Sequence, residues 1–179
     1  MGDAAPSLYL FGAGHVGQAL VTVLAPLPFH LVWLDTRDGV FPGSLMAGVD
    51  ARVIDDHEPE IREAPAGSYF LAMTHSHAMD YDICEKVLQR GDFAYLGLIG
   101  SRTKRRKFEQ RLQTRGYVNL PLDRLTCPIG VADINSKEPA AIAVGTAAQL
   151  LQCLSAREAS NPVAPDSAVP QPAKIDSTA

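Results

Sequence analysis

The sequence predicts a three-layer α/β domain, with a parallel sheet of about five to six strands and helices on both of its faces. Two features carry this prediction. An apolar run leads into the glycine-rich segment 12–17, where a helical pattern begins. Short apolar runs then alternate with helical patterns as far as residue 154, and this alternation is typical of parallel sheets that are covered on both faces.

The first of these features predicts a Rossmann-like strand, turn and helix that bind a phosphate. The G-x-G-x-x-G spacing lies between an apolar run and an amphipathic pattern, and this context is what gives the motif meaning. Gly12 permits a tight turn, Gly14 lets the backbone approach a pyrophosphate, and Gly17 lets the helix pack closely on the strand. The first helical N–H groups, at His15 and Val16, would then face the anion.

An acid ends the second predicted strand, which runs from residue 30 to residue 34. This acid is Asp35, and a carboxylate at this place can accept a hydrogen bond from a ribose 2′-hydroxyl. Arg37 follows two residues later and could contact a 2′-phosphate or stack on adenine. The pattern fits NAD(P) as a cofactor, and a purely structural βαβ unit without a ligand is the alternative.

The later strands and helices are predicted from periodicity and from glycines that end helices. Strands are expected at 51–55, 69–73 and 93–99, with a short extended piece at 125–130. Helices are expected to end at Gly91 and Gly116, and a longer one covers 140–154. We therefore expect one ordered domain over residues 1–156. Four prolines and no aromatic residue follow in 157–179, which predicts a disordered tail.

Composition narrows the class of protein. The net charge of −4 argues against a nucleic-acid binder, whose surface is usually basic. The N-terminus lacks a basic segment followed by an apolar run, and we expect no membrane span. The three cysteines form no C-x-x-C pair, so neither a zinc site nor a disulfide framework is expected. A cytoplasmic location is the default for such a chain.

The segment after the predicted strand at 69–73 is unusually polar. Thr74 or Ser76 can cap the next helix, whereas His75 and His77 could donate hydrogen bonds to a phosphate or to a transferred group. A metal site formed by these histidines with Asp80 is weaker, because the chain has only five histidines and a closed zinc site needs three or four protein ligands. Solvated imidazoles beside a helix cap are the remaining alternative.

A basic segment follows the predicted strand at 93–99. Ser101, Lys104 and Arg105 lie on one stripe in the first turns of the next helix. Cations at a helix N-terminus oppose the helix dipole, so their presence favours a bound anion. A solvated basic face is the alternative for these residues.

The short extended piece at 125–130 contains a cysteine beside a proline. Cys127 could lie exposed at the sheet edge, where its thiolate would be a nucleophile or a ligand for a soft metal. The alternative is equally strong, because free cysteines are among the most buried residues.

Taken together, these segments resemble the C-terminal Rossmann-type domain of the xanthine dehydrogenase accessory protein family, the XdhC/CoxI group. The resemblance covers roughly residues 7–154 and follows the order of the family's motifs. The matching blocks are FGAGHVGQAL from Phe11, WLDTR from Trp33, MTHSHAMDYDIC from Met73, YLGLIGSRTKRRKF from Tyr95, and LTCPIG from Leu125 followed by KEPAAIAVGTAAQLL from Lys137.

The resemblance implies a chaperone that binds molybdenum cofactor while its terminal sulfur is installed and then delivers it. The expected partners are a molybdenum hydroxylase subunit, such as that of xanthine dehydrogenase, and a cysteine desulfurase. The phosphate of the pterin or of its nucleotide form would bind at Gly12–Gly17, and the 101–105 segment would hold an anion. His75, His77 and Cys127 would lie near the pterin or molybdenum end.

Other functional classes remain open alongside this interpretation. An NAD(P)-dependent oxidoreductase or a nucleotide-binding module fits the glycine motif, and a metal hydrolase at His75 and His77 is the weakest of the alternatives. Family members usually carry a further N-terminal domain, which we expect to be absent here because the glycine loop begins at Gly12. A homodimer through a sheet edge or the last helix is the expected oligomer if one forms.

Overall fold

The chain alternates strands and helices throughout the computed structural model, which describes residues 5–160. The strands are β1 (Ser7–Phe11), β2 (His30–Asp35), β3 (Val49–Val53), β4 (Tyr69–Ala72), β5 (Tyr95–Leu98) and β6 (Leu125–Thr126). The helices are α1 (His15–Leu24), α2 (Glu58–Glu63), α3 (His77–Arg90), α4 (Arg102–Thr114) and α5 (Pro139–Ser160), and a single 3-10 turn at Leu122–Arg124 precedes β6.

All strand pairs are parallel, and the sheet order is β3-β2-β1-β4-β5-β6. The chain therefore starts at the centre of the sheet, winds out to β3, returns to β4 and winds out to β6. Ligands of such sheets bind beyond the carboxyl ends of the strands, at the point where the winding reverses. That point lies between β1 and β4, and the predicted α/β fold is confirmed.

Two hydrophobic cores lie on opposite faces of this sheet, because side chains alternate along each strand. Along β1, Tyr9 and Phe11 join the core under α2, α3 and α4. Leu8 and Leu10 join the core under α1 and α5. Burial on both faces explains why the central strands read as continuous apolar runs instead of alternating ones.

Strand β3 lies two residues earlier than its predicted position at 51–55. It pairs with β2 on one side only, from Val49 opposite Leu31 to Val53 opposite Asp35. As an edge strand it keeps polar side chains at Asp50 and Arg52, so its apolar signal is weak. The position of β3 is therefore set by its backbone pairing with β2, and not by the apolar run that predicts a strand at 51–55.

Helix α5 differs from the sequence analysis in two respects. It is long and apolar enough to cross a membrane by length and composition, with a mean hydropathy of 1.3, although a helix packed in a core passes the same test. Its Ala143, Ala147 and Leu150 are buried in the core that α1 covers. The helix also continues to Ser160, beyond the expected boundary at residue 156. The rest of the predicted tail, residues 161–179, lies outside the described residues.

Candidate functional site

The three glycines of the loop between β1 and α1 have different structural roles. Gly12 has φ +122°, and a Cβ there would lie 2.2 Å from the carbonyl oxygen of Met73. A Cβ on Gly17 would lie 2.2 Å from the carbonyl oxygen of Gly12, whereas a Cβ on Gly14 would meet no atom within 4 Å. The outer two glycines therefore allow the backbone to pack closely, and the middle one leaves space in which a ligand could approach.

The N-terminus of α1 opens into this space. Its N-cap residue is Gly14, which provides no side-chain hydrogen bond, and its first turn carries no acidic side chain. Gly14 and His15 are exposed, and Val16 is partly buried. The first N–H groups of a helix have no partner within the helix, and here the cap residue supplies none. Together with the helix dipole, they form a favourable place for an anion.

The carboxylate of Asp35 braces this loop from the end of β2. Oδ2 accepts from the Ala13 N–H at 2.7 Å and from Nη2 of Arg37 at 2.8 Å. Oδ1 accepts from the Arg37 backbone N–H at 2.9 Å and from its Nε at 3.0 Å. Burial raises the pKa of Asp35, but these hydrogen bonds outweigh it and lower the pKa to about 2.

These contacts bear on the expected ribose interaction. A carboxylate has about four acceptor positions, and Ala13 and Arg37 provide four donors. The side chain of Asp35 is only 2% exposed, whereas that of Arg37 is 39% exposed. Asp35 is therefore an internal anchor in this structure, and a ribose hydroxyl would have to displace Arg37 to reach it.

The loop after β4 is organised by its own hydrogen bonds. Thr74 donates to Oδ1 of Asp80 from its backbone N–H at 2.7 Å and from Oγ1 at 2.8 Å. Ser76 caps α3, as predicted, by accepting from the backbone N–H of Met79. Thr74 and Ser76 thus shape the loop, and His75 and the first helical residue, His77, remain exposed.

A buried ion pair joins this loop to the basic segment. Lys104 donates from Nζ to Oδ2 of Asp80 at 2.8 Å and to the carbonyl oxygen of Ile99 at 2.8 Å. The side chains of Lys104 and Asp80 are 9% and 1% exposed. A Cβ on Gly100 would lie 2.4 Å from Cδ of Lys104, so this glycine makes room for the lysine stem. The pair fixes the start of α4 against α3.

The ion pair forms part of the wall of an open cleft at the carboxyl edge of the sheet. The cleft has a volume of about 320 Å³ and brings together the two polar segments that the sequence singled out. Its lining residues are Thr74, His77, Asp80, Ile99, Gly100, Ser101 and Lys104.

Arg105 does not contribute to this cleft, which corrects the prediction that it binds an anion there. Its Nε donates to Glu109 at 2.8 Å, and its Nη1 and Nη2 donate to the carbonyl oxygens of Leu125 and Leu122 at 2.9 and 3.1 Å. The guanidinium therefore fastens α4 to the start of β6. Ser101 acts as the N-cap of α4, because its Oγ accepts from the Lys104 N–H at 3.2 Å.

Cys127 is buried and does not lie exposed at the sheet edge. It is 5% exposed, and its Sγ donates to the carbonyl oxygen of Ser101 at 3.7 Å. Burial raises the pKa of the thiol, which keeps it protonated near neutral pH. Since a thiolate is the form that binds metals and attacks electrophiles, this side chain does not offer a ligand in the described structure.

The metal-site alternative is not assembled in residues 5–160. Asp80 is directed to Thr74 and Lys104 instead of to the two histidines. Among the described residues, no three His, Cys, Asp or Glu side chains are grouped as metal ligands.

Sequence reasoning named Asp80 only as a metal ligand and missed its role in the ion pair. A signal was present, because Asp80 lies on the same helical stripe as the buried Ile83 and Cys84. Lys104 likewise precedes the buried Phe108 by one turn. Opposite charges at core positions of two helices that start at the same sheet edge indicate a buried pair.

The doubly wound parallel sheet and the glycine loop at its switch point define a Rossmann-type α/β domain. A family model described as the XdhC Rossmann domain matches residues 8–150, and the chain belongs to that family. The resemblance inferred from the sequence blocks is thereby confirmed.

Two similar proteins are considerably longer. The uncharacterized protein YqeB of Escherichia coli (strain K12) is 26% identical over 148 residues, which make up 82% of this chain and 27% of YqeB. A crystal structure described as a xanthine dehydrogenase from Bacillus halodurans is 30% identical, with a TM-score of 0.71. That match covers 88% of this chain and 45% of the other. The chain thus spans less than half the length of each.

Proposed function

We propose that this chain is the cofactor-binding domain of an accessory protein that holds molybdenum cofactor for a molybdenum hydroxylase. The observation that carries the proposal is the open space at Gly14, the N-cap residue of α1. Because Gly14 has no side chain, the first N–H groups of α1 receive no side-chain hydrogen bond from their cap residue. A phosphate fits such a place, because unpaired N–H groups and the helix dipole both favour an anion. Membership of the XdhC family points to the pterin cofactor as the phosphate-bearing ligand.

The residues at the carboxyl edge of the sheet are better suited to hydrogen-bond a pterin than to coordinate molybdenum directly. Exposed His75 and His77 can exchange hydrogen bonds with pterin nitrogens and oxygens, and Lys104 lines the adjoining cleft. Cys127 is enclosed and protonated. When bound, the cofactor would supply the molybdenum centre that the recipient enzyme uses, and the chain would bind and shelter it without turnover.

The same proposal includes the partners and the location expected from the sequence. A molybdenum hydroxylase subunit would receive the cofactor, and a cysteine desulfurase would provide the sulfur, in the cytoplasm. Both exchanges need a ligand that remains accessible, and the cleft is open to solvent on the side of His77 and Ser101.

Metal and pterin content of protein purified without oxygen tests this proposal. We expect molybdenum and pterin near one per chain in the parent, and loss of both in Gly14→Val, where bulk fills the space needed by the phosphate. Gly43→Val is the matched control, because a Cβ on Gly43 also meets no atom within 4 Å but lies outside the glycine loop. Absence of pterin from the parent after incubation with cofactor, or equal retention by Gly14→Val, would refute the proposal.

A nucleotide-binding module or an NAD(P)-dependent oxidoreductase is the second candidate. The exposed guanidinium of Arg37 beside the glycine loop favours it. Tight NADPH binding without pterin would support the module, and oxidation of NADPH that depends on an added substrate would support the enzyme.

A further inference from the structure

We infer that Arg37 makes the glycine-loop site select nucleotides that carry a phosphate on the ribose over those with a free 2′-hydroxyl. The inference goes beyond the proposed function, because molybdenum cofactor carries no ribose 2′-phosphate, and it rests on that function in one respect, namely that the glycine loop binds a phosphate. It concerns a nucleotide with a phosphorylated ribose and assigns Arg37 as the residue that determines specificity.

The usual acceptor for a ribose hydroxyl is already engaged in this structure. Asp35 stands at the end of β2, where an acid would read a ribose hydroxyl. Its two oxygens accept from Ala13 and Arg37 at 2.7–3.0 Å, and its side chain is 2% exposed. A ligand that approaches the loop therefore meets the guanidinium and not the carboxylate.

Arg37 keeps N–H donors that its contacts with Asp35 do not use. A guanidinium carries five N–H donors, and Asp35 engages one on Nε and one on Nη2. Within residues 5–160, the two N–H groups of Nη1 and the second of Nη2 make no hydrogen bond. The two charge-assisted bonds to Asp35 hold the planar fork in place, so these outward donors are preorganised for an anion.

The guanidinium of Arg37 is held next to the glycine loop. Nη2 of Arg37 and the Ala13 N–H contact the same oxygen, Oδ2 of Asp35. The guanidinium therefore lies beside the backbone that would hold the first phosphate. An arginine near this strand end is able to accommodate a 2′-phosphate of a nucleotide whose other phosphate lies at the glycine loop.

A matched pair of probes tests the inference, since adenosine 2′,5′-bisphosphate differs from adenosine 5′-monophosphate only by the 2′-phosphate. We expect the bisphosphate to bind the parent tighter by about tenfold to a hundredfold in titration calorimetry. In Arg37→Gln the two probes should bind equally, and Arg37→Lys should restore part of the preference. Arg62→Gln is the charge-matched control, because Arg62 is 66% exposed on α2, and it should keep the parent's preference.

Three results would overturn the inference: equal or tighter binding of the monophosphate, a preference that persists in Arg37→Gln, or no binding of either probe to the parent. Pterin content of the same preparations separates this test from that of the proposed function. Retained pterin with no preference between the probes refutes the role of Arg37 alone. A preference that depends on Arg37, in a protein that never retains pterin, refutes only the chaperone function.

Discussion

Replacing Asp35 by asparagine should destabilise the protein in a pH-dependent way. The carboxylate accepts from Ala13 and Arg37 and has its pKa lowered from 3.8 to about 2. Since one unit of pKa corresponds to about 1.4 kcal/mol, this shift corresponds to about 2.5 kcal/mol of stability at neutral pH before solvent screening is considered. The side chain of Asp35 is 2% exposed, but that of its main partner, Arg37, is 39% exposed, so solvent screening reduces the expected contribution to about 2 kcal/mol.

The sign of the pH dependence follows from the direction of the shift. Because the folded chain binds the proton of Asp35 more weakly than the unfolded chain, folding gains the full contribution above about pH 4. The contribution is lost as the pH falls through about 2 and should be reduced to roughly half at pH 3. The difference in unfolding free energy between parent and Asp35→Asn should shrink accordingly.

Urea unfolding of both proteins between pH 3 and pH 7 measures this difference. Subtracting the two curves removes the contributions of the other carboxylates, and Asp38→Asn, at an exposed position, controls for loss of a surface charge. A difference that stays constant with pH, or that grows in acid, would refute the view that Asp35 is an ionised anchor of the loop.

Three further outcomes are expected. Lys104→Met should lower the free energy of unfolding by about 3–5 kcal/mol, because it leaves the buried carboxylate of Asp80 unpaired. Adding Asp80→Asn to this variant should recover part of the loss. Additive losses in urea unfolding would contradict the pairing. Gly17→Ala should lower the free energy of unfolding by about 1–3 kcal/mol, because its Cβ would overlap a carbonyl oxygen, whereas Gly14→Ala should unfold like the parent. A larger loss of stability in Gly14→Ala than in Gly17→Ala would be inconsistent with the loop geometry. Cys127 should react slowly with a thiol reagent at neutral pH and promptly in urea; prompt labelling of the native protein at Cys127 would show that its thiol is accessible.

The strand and helix order was predictable from the sequence because burial on both faces makes the central strands continuous apolar runs. The packing roles of Gly12 and Gly17 were predictable for a related reason, since they depend on backbone geometry around a single tight turn. Strand β3 was misplaced because an edge strand carries polar side chains such as Asp50 and Arg52, and its register depends on its neighbour.

The side chains of the site were less predictable, because residue type does not reveal the hydrogen-bond partner. The sequence predicts Asp35 as an acceptor for ribose, but the donors that reach it are those of its own chain. The sequence predicts Arg105 as an anion ligand, but its guanidinium donates to carbonyl groups near β6 instead. Cys127 illustrates the same limit, since whether it faces the core or the cleft depends on how β6 packs.

The contact between α1 and α5 has a consequence for the order in which the molecule is made. The two helices pack against each other although more than a hundred residues separate them in the chain. During synthesis, the part of this sheet face that α5 covers stays exposed until α5 has left the ribosome. High contact order of this kind slows folding, and exposed apolar surface in the interval invites aggregation. Folding of this domain is therefore expected to complete only after residue 160 is synthesised.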